Sequence, residues 1–313
     1  MVLNIFLLCL GIVLLYYGSE WMVKGSASLA LSFSIRPAMV GLTVVAFATS
    51  APELLVSLIA AAKGSSGISL GNILGSNVAN IGLVLGISAL TKPLAIDRKL
   101  VRREIPFMIC ASGLFWLVCL DGHLGRIDGI ILLSGLAAFL IMGIITARKS
   151  KDKKGIASTQ KKALLFITLI LMGMGGLLVG ADLTVRSAIF IAREFGLSDV
   201  FIGLSIVAVG TSLPELATSV VAGARGEHDI SVGNVIGSNV FNICLVMGTV
   251  GLFNPMPVSM GLMRFEFPAM FLLSIIVWVF SRTRFTISRM EGVFFLLSFV
   301  SFLATSYWMG MAN

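Results

Sequence analysis

Six stretches of the sequence carry no Asp, Glu, Lys or Arg over 18 or more residues each. A helix of that length spans the roughly 30 Å hydrocarbon core of a bilayer. Only 12% of the 313 residues are charged, whereas about 25% are charged in a soluble domain. We therefore interpret the chain as an all-α, polytopic membrane protein. The uncharged stretches are residues 2–19, 64–91, 129–147, 163–181, 230–263 and 292–313.

The chain also contains an internal repeat. Residues 41–86 align with residues 203–248 without a gap, at an offset of 162, with 26 identities in 46 positions. A shared apolar bias would explain matched Leu and Val, but it does not explain matched Thr, Ser, Pro, Glu, Asn and Gly. The sequence therefore predicts two copies of one structural unit.

Hydrophobic patterning predicts ten transmembrane helices, five in each copy. An odd number of spans forces the second copy into the membrane upside down, and such inverted repeats are common in secondary transporters. We expect a first inverted repeat over residues 1–147, a basic linker over 148–162 and a second inverted repeat over 163–313. The predicted helices are 2–29, 37–63, 68–91, 104–121, 127–147, 163–193, 199–224, 230–253, 259–281 and 291–309.

The basic residues predict the orientation. If the linker is cytoplasmic, that side of the membrane collects 18 of the 23 lysines and arginines. The positive-inside rule then places both termini outside the cytoplasm. We expect a multi-pass protein of the cell or inner membrane, in contact with lipid and small inorganic cations. The net charge of +8 is interpreted as this topology signal and not as a sign of nucleic-acid binding.

Glu53 and Glu215 occupy matching positions in the middle of predicted spans. A carboxylate in the membrane interior is expensive and by default marks an ion or proton pathway. Each glutamate follows a proline, which breaks the helical hydrogen bonding around it. Freed carbonyls beside a carboxylate would make an oxygen-rich cage.

Other polar residues share a helix face with each glutamate, because residues three or four apart lie on one face. The next predicted span of each copy carries a second polar stripe, in which Asn and Ser recur every four residues. Asn72 and Asn234 fit interhelical hydrogen bonding as well as ion binding. The first face comprises Ala46, Thr49, Ser50, Glu53 and Ser57, with Ala208, Thr211, Ser212, Glu215 and Ser219 in the second copy; the stripes are Asn72, Ser76, Asn80 and Asn234, Ser238, Asn242.

This ligand set consists of oxygen alone. Hard cations such as Ca²⁺ take oxygen ligands, and the absence of thiolate or imidazole ligands disfavours copper and zinc. Two carboxylates balance one divalent ion or two monovalent ions, which is a physical basis for antiport. We expect no cofactor and no catalytic residues.

The paired blocks G-T-S-x-P-E and G-N-x-x-G-S-N-x-x-N resemble the α-repeats of sodium/calcium exchangers, within the cation/calcium antiporter superfamily, over essentially the whole chain. The first copy departs by having Ala48 where the family commonly has Gly, and Asn242 stands where some similar exchangers carry Asp. The linker is too short for a calcium-sensing domain, so the chain looks like a short prokaryotic-type member without a regulatory domain.

The resemblance implies four clustered cation sites between the second, third, seventh and eighth predicted helices. It also implies a set of ligands: the carboxylates of Glu53 and Glu215, the carbonyls of Ala46, Thr49, Ala208 and Thr211, and the side chains of Ser50, Ser76, Asn80, Ser212, Ser238 and Asn242.

The resulting hypothesis is a secondary active antiporter that exchanges Ca²⁺ for Na⁺ by alternating access. A Ca²⁺/H⁺ antiporter that uses the same glutamates is the nearest alternative. A cation channel is a second alternative, because broken helices with exposed carbonyls also suit selectivity filters. An intramembrane enzyme is disfavoured, since the sequence offers no nucleophile–base pair or metal-ligand cluster outside the repeats.

Overall fold

A computed structural model describes the protein over residues 1–33, 35–148, 163–195 and 208–312. These residues are mostly helical, in agreement with the all-α prediction. Seven helices are long and apolar enough to cross a membrane, and a bent pair makes an eighth candidate. Most of the expected linker, 149–162, and the start of the seventh predicted helix, 199–207, lie outside the described residues.

We number the helices in chain order. A short helical turn, Ala208–Gly210, precedes α8, and the π-helical turn Leu100–Glu104 leads into α5. The helices are α1 (Val2–Ser32), α2 (Pro37–Thr49), α3 (Ala51–Ala62), α4 (Ser66–Thr91), α5 (Ile105–Val118), α6 (Arg126–Arg148), α7 (Ala163–Glu194), α8 (Leu213–Ala224), α9 (His228–Phe253), α10 (Met260–Arg282) and α11 (Arg289–Ala312).

The long helices α1 and α7 pack against each other backbone to backbone and run antiparallel. A Cβ atom added at Gly173 would lie 2.7 Å from the carbonyl oxygen of Gly18, and one added at Gly11 would lie 2.8 Å from that of Gly180. Small residues permit this close approach of membrane helices. The four glycines form two pairs at the offset of 162, Gly11 with Gly173 and Gly18 with Gly180.

Two short antiparallel sheets tie the two copies together. Strand β1 (Leu94–Ala95) pairs with β4 (Thr286–Ile287), and β2 (His123–Leu124) pairs with β3 (Met256–Pro257). Strands β1 and β3 are related by the repeat offset, as are β2 and β4 to within one residue. Each sheet therefore joins a loop of the first copy to a loop of the second.

Helices α4 and α9 lie at the centre of the protein. In the most apolar 18-residue stretch of α4 and of α9, 78% and 83% of the residues are buried. The corresponding share is 22% for α1, α6, α7 and α11. Aromatic residues fill the surrounding core, where the rings of Phe115 on α5 and Phe267 on α10 lie 4.8 Å apart. The polar stripes of α4 and α9 are thus enclosed by protein and not by lipid, which is where polar groups at membrane depth are tolerated.

Candidate functional site

Two prolines end one helix and begin another just before each buried glutamate. Proline has no N–H to donate to the carbonyl four residues earlier. New helices, α3 and α8, consequently begin one residue before Pro52 and Pro214, and α2 meets α3 at a bend of 44°. Glu53 and Glu215 therefore lie in the first turn of a helix, where the unpaired N–H groups favour negative charge.

The two breaks differ in their backbone bonding. Ser50 donates its N–H to the carbonyl of Ala46 at 3.0 Å, whereas the matched Ser212 donates to the carbonyl of Val209 at 3.1 Å. The hydroxyl oxygen of Thr49 also lies 3.4 Å from the Ala46 carbonyl oxygen. The side chain of Ala208, the predicted counterpart of Ala46, lies outside the described residues.

Tight turns fold the next helix of each copy back toward the glutamate. Gly64 and Gly226 adopt positive φ angles of 75° and 84° at the ends of α3 and α8, a conformation that glycine adopts without strain. Across the turn between α3 and α4, Ser69 donates its hydroxyl proton to the carbonyl of Ser57 at 3.0 Å. The matched serines of the second copy, at 219 and 231, make the same bond at 2.8 Å.

Asn72 and Asn234 bind these hairpins together. Asn72 donates to the backbone carbonyl of Glu53 at 3.3 Å and to the Ser57 hydroxyl at 2.9 Å. Asn234 makes the equivalent bonds to Glu215 and Ser219 at 3.4 and 2.9 Å. Interhelical hydrogen bonding, one of the two interpretations left open by the sequence, is therefore observed for both residues.

The two glutamates are fully buried, with 0% of each exposed, but they have different partners. Oε1 of Glu215 accepts hydrogen bonds from Ser50 at 3.2 Å and from Ser238 at 3.3 Å. Within the described ranges, Oε2 of Glu215 and both carboxylate oxygens of Glu53 accept none, and the Ser212 hydroxyl has no partner. Ser50, three residues before Glu53, thus contacts the glutamate of the other copy.

Hydroxyl groups link the first copy to the second around the glutamates. Thr49 lies 3.3 Å from the hydroxyl of Ser238 and donates to the amide oxygen of Asn234 at 3.1 Å. On the matched side, Ser76 lies 3.4 Å from the hydroxyl of Thr211. The structure thus brings the predicted hydroxyl residues together between α2, α4, α9 and the turn before α8.

Asn80 and Asn242 lie at the π-helical segments of α4 and α9, Asn80–Leu85 and Phe241–Met247. Such widened turns often occur at functional sites. Both amides are fully buried, and the amide oxygen of each has no hydrogen-bond partner among the described residues. Their amide nitrogens bind Asn239 and Asn77, two residues that the sequence analysis did not single out.

The site therefore contains buried oxygen atoms that no donor among the described residues satisfies. An unsatisfied buried acceptor costs about 1–3 kcal/mol, and more when it is charged, whereas hard cations bind carboxylate, amide and hydroxyl oxygens. The described residues contain no group of three or more His, Cys, Asp or Glu suited to a metal ion. The arrangement suits a cation held by two carboxylates among neutral oxygens. The unsatisfied atoms are Glu53 Oε1 and Oε2, Glu215 Oε2, Asn80 Oδ1, Asn242 Oδ1 and Ser212 Oγ.

Comparison with known proteins supports this chemistry. The sequence matches the family described as sodium/calcium exchanger protein over residues 3–145 and 165–308. It is 32% identical to the sodium/calcium exchanger MaX1 of Methanosarcina acetivorans, over 97% of this chain and 99% of that protein. It is 35% identical to the putative antiporter CaxA of Alkalimonas amylolytica, over 96% of this chain and 98% of that protein.

The fold is also similar to a solved structure. The sodium-calcium exchanger NCX_Mj superposes with a TM-score of 0.86 at 34% identity, over 97% of this chain and 98% of that one. The family consists of transporters and not of enzymes, and the long apolar helices agree with an integral multi-pass membrane protein. The match extends along both copies of the repeat and covers the residues assembled above, so this chain belongs to the sodium/calcium exchanger family of membrane antiporters.

Proposed function

We propose that the protein exchanges Ca²⁺ for Na⁺ across the membrane, and that both ions bind at the buried oxygen cluster. The observation that carries this proposal is the pair of repeat-matched glutamates, which lie at the starts of broken helices. Three of their four carboxylate oxygens are unsatisfied by the part of the chain that the structure describes. These oxygens are poorly supplied with protein donors, and a bound cation supplies the missing partner.

The proposed ligands are the twelve residues that the family resemblance implies. Six of their side-chain oxygens already lie within hydrogen-bond distance of another of these residues, for example Ser50 with Glu215 and Ser76 with Thr211. The set comprises Glu53 and Glu215, the carbonyls of Ala46, Thr49, Ala208 and Thr211, and the side chains of Ser50, Ser76, Asn80, Ser212, Ser238 and Asn242.

Charge balance supplies the coupling. With both glutamates ionised the empty cluster carries two buried negative charges, which are costly away from water unless they are paired. One Ca²⁺ or two Na⁺ neutralise them equally. A loaded site is therefore free to change its exposure between the two sides of the membrane, while the empty site is held back. In this mechanism α1 and α7 slide as a pair across a fixed site.

We further propose that the chain crosses the membrane ten times as two inverted repeats, residues 1–147 and 163–313, joined by a cytoplasmic linker at 148–162, with both termini outside. The antiparallel packing of α1 on α7 and the crosswise pairing of the four strands support this topology, because both relate equivalent parts of the two copies. The two additional spans are the predicted helices 104–121 and 199–224, whose described parts include α5 and α8.

The coupling ion is tested by Ca²⁺ uptake into proteoliposomes that contain the purified protein. Vesicles loaded with Na⁺ and diluted into Na⁺-free medium should take up Ca²⁺, and a sodium ionophore should abolish that uptake. Vesicles with the same imposed gradient of K⁺ or H⁺ in place of Na⁺ should take up only the background amount.

The alternatives give different results in the same assay. Uptake driven by the H⁺ gradient without Na⁺ would replace Na⁺ coupling by the Ca²⁺/H⁺ mechanism. Ca²⁺ flux that follows the Ca²⁺ gradient alone, with no counter-flux of another ion, would indicate a channel and would overturn exchange.

A further inference from the structure

Four buried asparagines form a cluster between α4 and α9. Asn80 and Asn242 belong to the proposed ligand set, whereas Asn77 and Asn239 do not. Asn80 donates its amide nitrogen to the amide oxygen of Asn239 at 3.0 Å. Asn242 donates in the same way to Asn77 at 3.2 Å. Asn77 and Asn239 match at the repeat offset, as do Asn80 and Asn242, and none of the four is more than 1% exposed.

The orientation of Asn77 and Asn239 is fixed by neighbours that can only accept. Asn239 donates to the backbone carbonyl of Asn77 at 3.3 Å and to the thioether of Met108 at 3.7 Å. Asn77 donates to the thioether of Met270 at 3.4 Å. A carbonyl and a thioether have no proton to give, so the amide nitrogens must face them. The amide oxygens of Asn77 and Asn239 must then face Asn242 and Asn80.

The second pair of amides is oriented in turn. Because Asn77 and Asn239 present acceptors, the amides of Asn242 and Asn80 must turn their nitrogens toward them. The amide oxygens of Asn242 and Asn80 then point the other way, and these two oxygens are unsatisfied by the described residues. A rotation of either amide by 180° would place two oxygens against each other and present N–H groups to the cation.

We infer that Asn77 and Asn239 are positioning residues, which aim the amide oxygens of Asn242 and Asn80 at the transported cation. The inference rests on the proposed function, since it assumes that those oxygens are ligands. It assigns Asn77 to Asn242 and Asn239 to Asn80, so each supporting amide acts on the ligand of the other copy. Fixed hydrogen bonds behind a ligand commonly set its orientation toward a metal.

The test is a set of double substitutions measured by Ca²⁺ exchange in proteoliposomes. Asn77→Leu keeps the branched shape of the side chain but removes the acceptor, so the Asn242 amide is no longer held. We expect the apparent KM for Ca²⁺ to rise about tenfold, the equivalent of one ordinary hydrogen bond, with the maximal rate at saturating Ca²⁺ much less affected.

A carboxylate has two equivalent oxygens and therefore requires no orientation. In the Asn242→Asp background, Asn77→Leu should raise the KM less than about twofold. The Asn80→Asp background carries the same added charge but keeps the Asn242 amide. Asn77→Leu should therefore retain its full effect on the KM there. Asn239→Leu should show the reverse pattern, rescued by Asn80→Asp and not by Asn242→Asp.

Partner-specific rescue separates positioning from a merely structural role. If Asn77→Leu has the same effect in all three backgrounds, or no effect on KM in any of them, the positioning role is wrong. If wild-type protein shows no Ca²⁺ exchange under any gradient, the proposed function fails and this inference fails with it. Exchange that depends on Glu53 but shows no partner-specific rescue overturns the inference alone.

A milder pair of variants covers the case in which Asn77→Leu does not fold. Met270→Leu removes the thioether that anchors Asn77, and Met→Leu exchanges in packed cores are generally well tolerated. We expect a rise in KM of about two- to threefold. Met108→Leu should leave the KM unchanged, because Asn239 keeps its bond to the Asn77 carbonyl. Equal effects of the two substitutions would contradict the assignment.

Discussion

At the scale of single residues, the two glutamates differ in the hydrogen bonds that their carboxylate oxygens accept. Glu215 already accepts two hydroxyl bonds at one oxygen, and a glutamine at that position would keep them. Glu53 accepts none from the described residues. Its carboxylate is therefore the less stable of the two when no cation is bound.

We predict that Glu53→Gln and Glu215→Gln each reduce the kcat/KM for Ca²⁺ at least about 100-fold, because removal of one partner from a buried charge pair costs about 3–5 kcal/mol. The measurement is initial Ca²⁺ uptake driven by a Na⁺ gradient. Glu194→Gln, at an exposed position at the end of α7, serves as the control and should transport normally. Transport above about half the wild-type rate would remove that glutamate from the ligand set.

The same substitutions should act on stability in the opposite direction. In medium free of Na⁺ and Ca²⁺, Glu53→Gln should raise the melting temperature by a few degrees, because it removes an unpaired buried charge, which costs more than the roughly 1–3 kcal/mol of a neutral unsatisfied acceptor. Addition of Ca²⁺ should stabilise the wild-type protein and have little effect on the variant. A variant less stable than wild type without cations would show that Glu53 has a protein partner.

Sequence reasoning identifies the residues of the candidate site more readily than the role of each residue. Charge, proline and repetition mark Glu53 and Glu215 unambiguously. An asparagine in a buried stripe, by contrast, looks the same whether it binds an ion or supports a residue that does. Asn72 proved to hold a backbone carbonyl, and Asn77 was passed over although it is repeat-matched. Only the direction of each amide distinguishes these roles, and a one-dimensional pattern does not contain that direction.

At the scale of elements, the close contact between α1 and α7 depends on glycine. A Cβ atom at Gly18 would lie 2.8 Å from the backbone nitrogen of Leu177, whereas one at Gly175 would have no heavy atom within 4 Å. These two positions provide a test variant and a control variant within the same pair of helices. One faces the partner backbone and the other does not.

We predict that Gly18→Ala destabilises the protein by about 1–3 kcal/mol, as expected for forced separation of packed groups, and slows exchange because the pair no longer moves as one body. Gly175→Ala should leave transport unchanged and slightly raise stability, since alanine favours helix. Thermal unfolding and uptake rates check both. Equal behaviour of the two variants would show that the backbone contact does not couple the helices.

Element boundaries were predictable where a residue type enforces them. Pro52 marks the break between α2 and α3, and the predicted third and eighth helices, 68–91 and 230–253, agree with α4 and α9 to within two residues. The π-helical turns at 80–85 and 241–247 were not predicted. Over six or seven residues that are buried on all sides, the hydrophobic pattern has no polar face from which a change in helical period could be detected.

At the scale of the whole molecule, the lengths of the apolar helices indicate the number of membrane spans less clearly than the internal sequence repeat does. Helix α5 has only 14 residues after the π-helical turn that carries Arg102, Arg103 and Glu104, and α8 has only 12. The sheets offer independent markers of the two ends of the molecule. Lys99 follows β1 at one end and Asp121 precedes β2 at the other, and both are exposed.

We predict that a cysteine at position 99, or in the linker at 150–158, is labelled by a membrane-impermeant thiol reagent only from the cytoplasmic side, while a cysteine at 121 is labelled only from outside. The four native cysteines, at positions 9, 110, 119 and 244, are first replaced. Labelling of positions 99 and 121 from the same side would be incompatible with inverted repeats.

The interlocked asparagines also have a consequence for how the protein is made. Helix α4 is inserted into the membrane well before α9 has been synthesised, yet Asn77 and Asn80 find their bonding partners on α9. Until then these two amides lack their native partners on α9. The first repeat therefore cannot complete its native hydrogen bonding until α9 of the second repeat has been made.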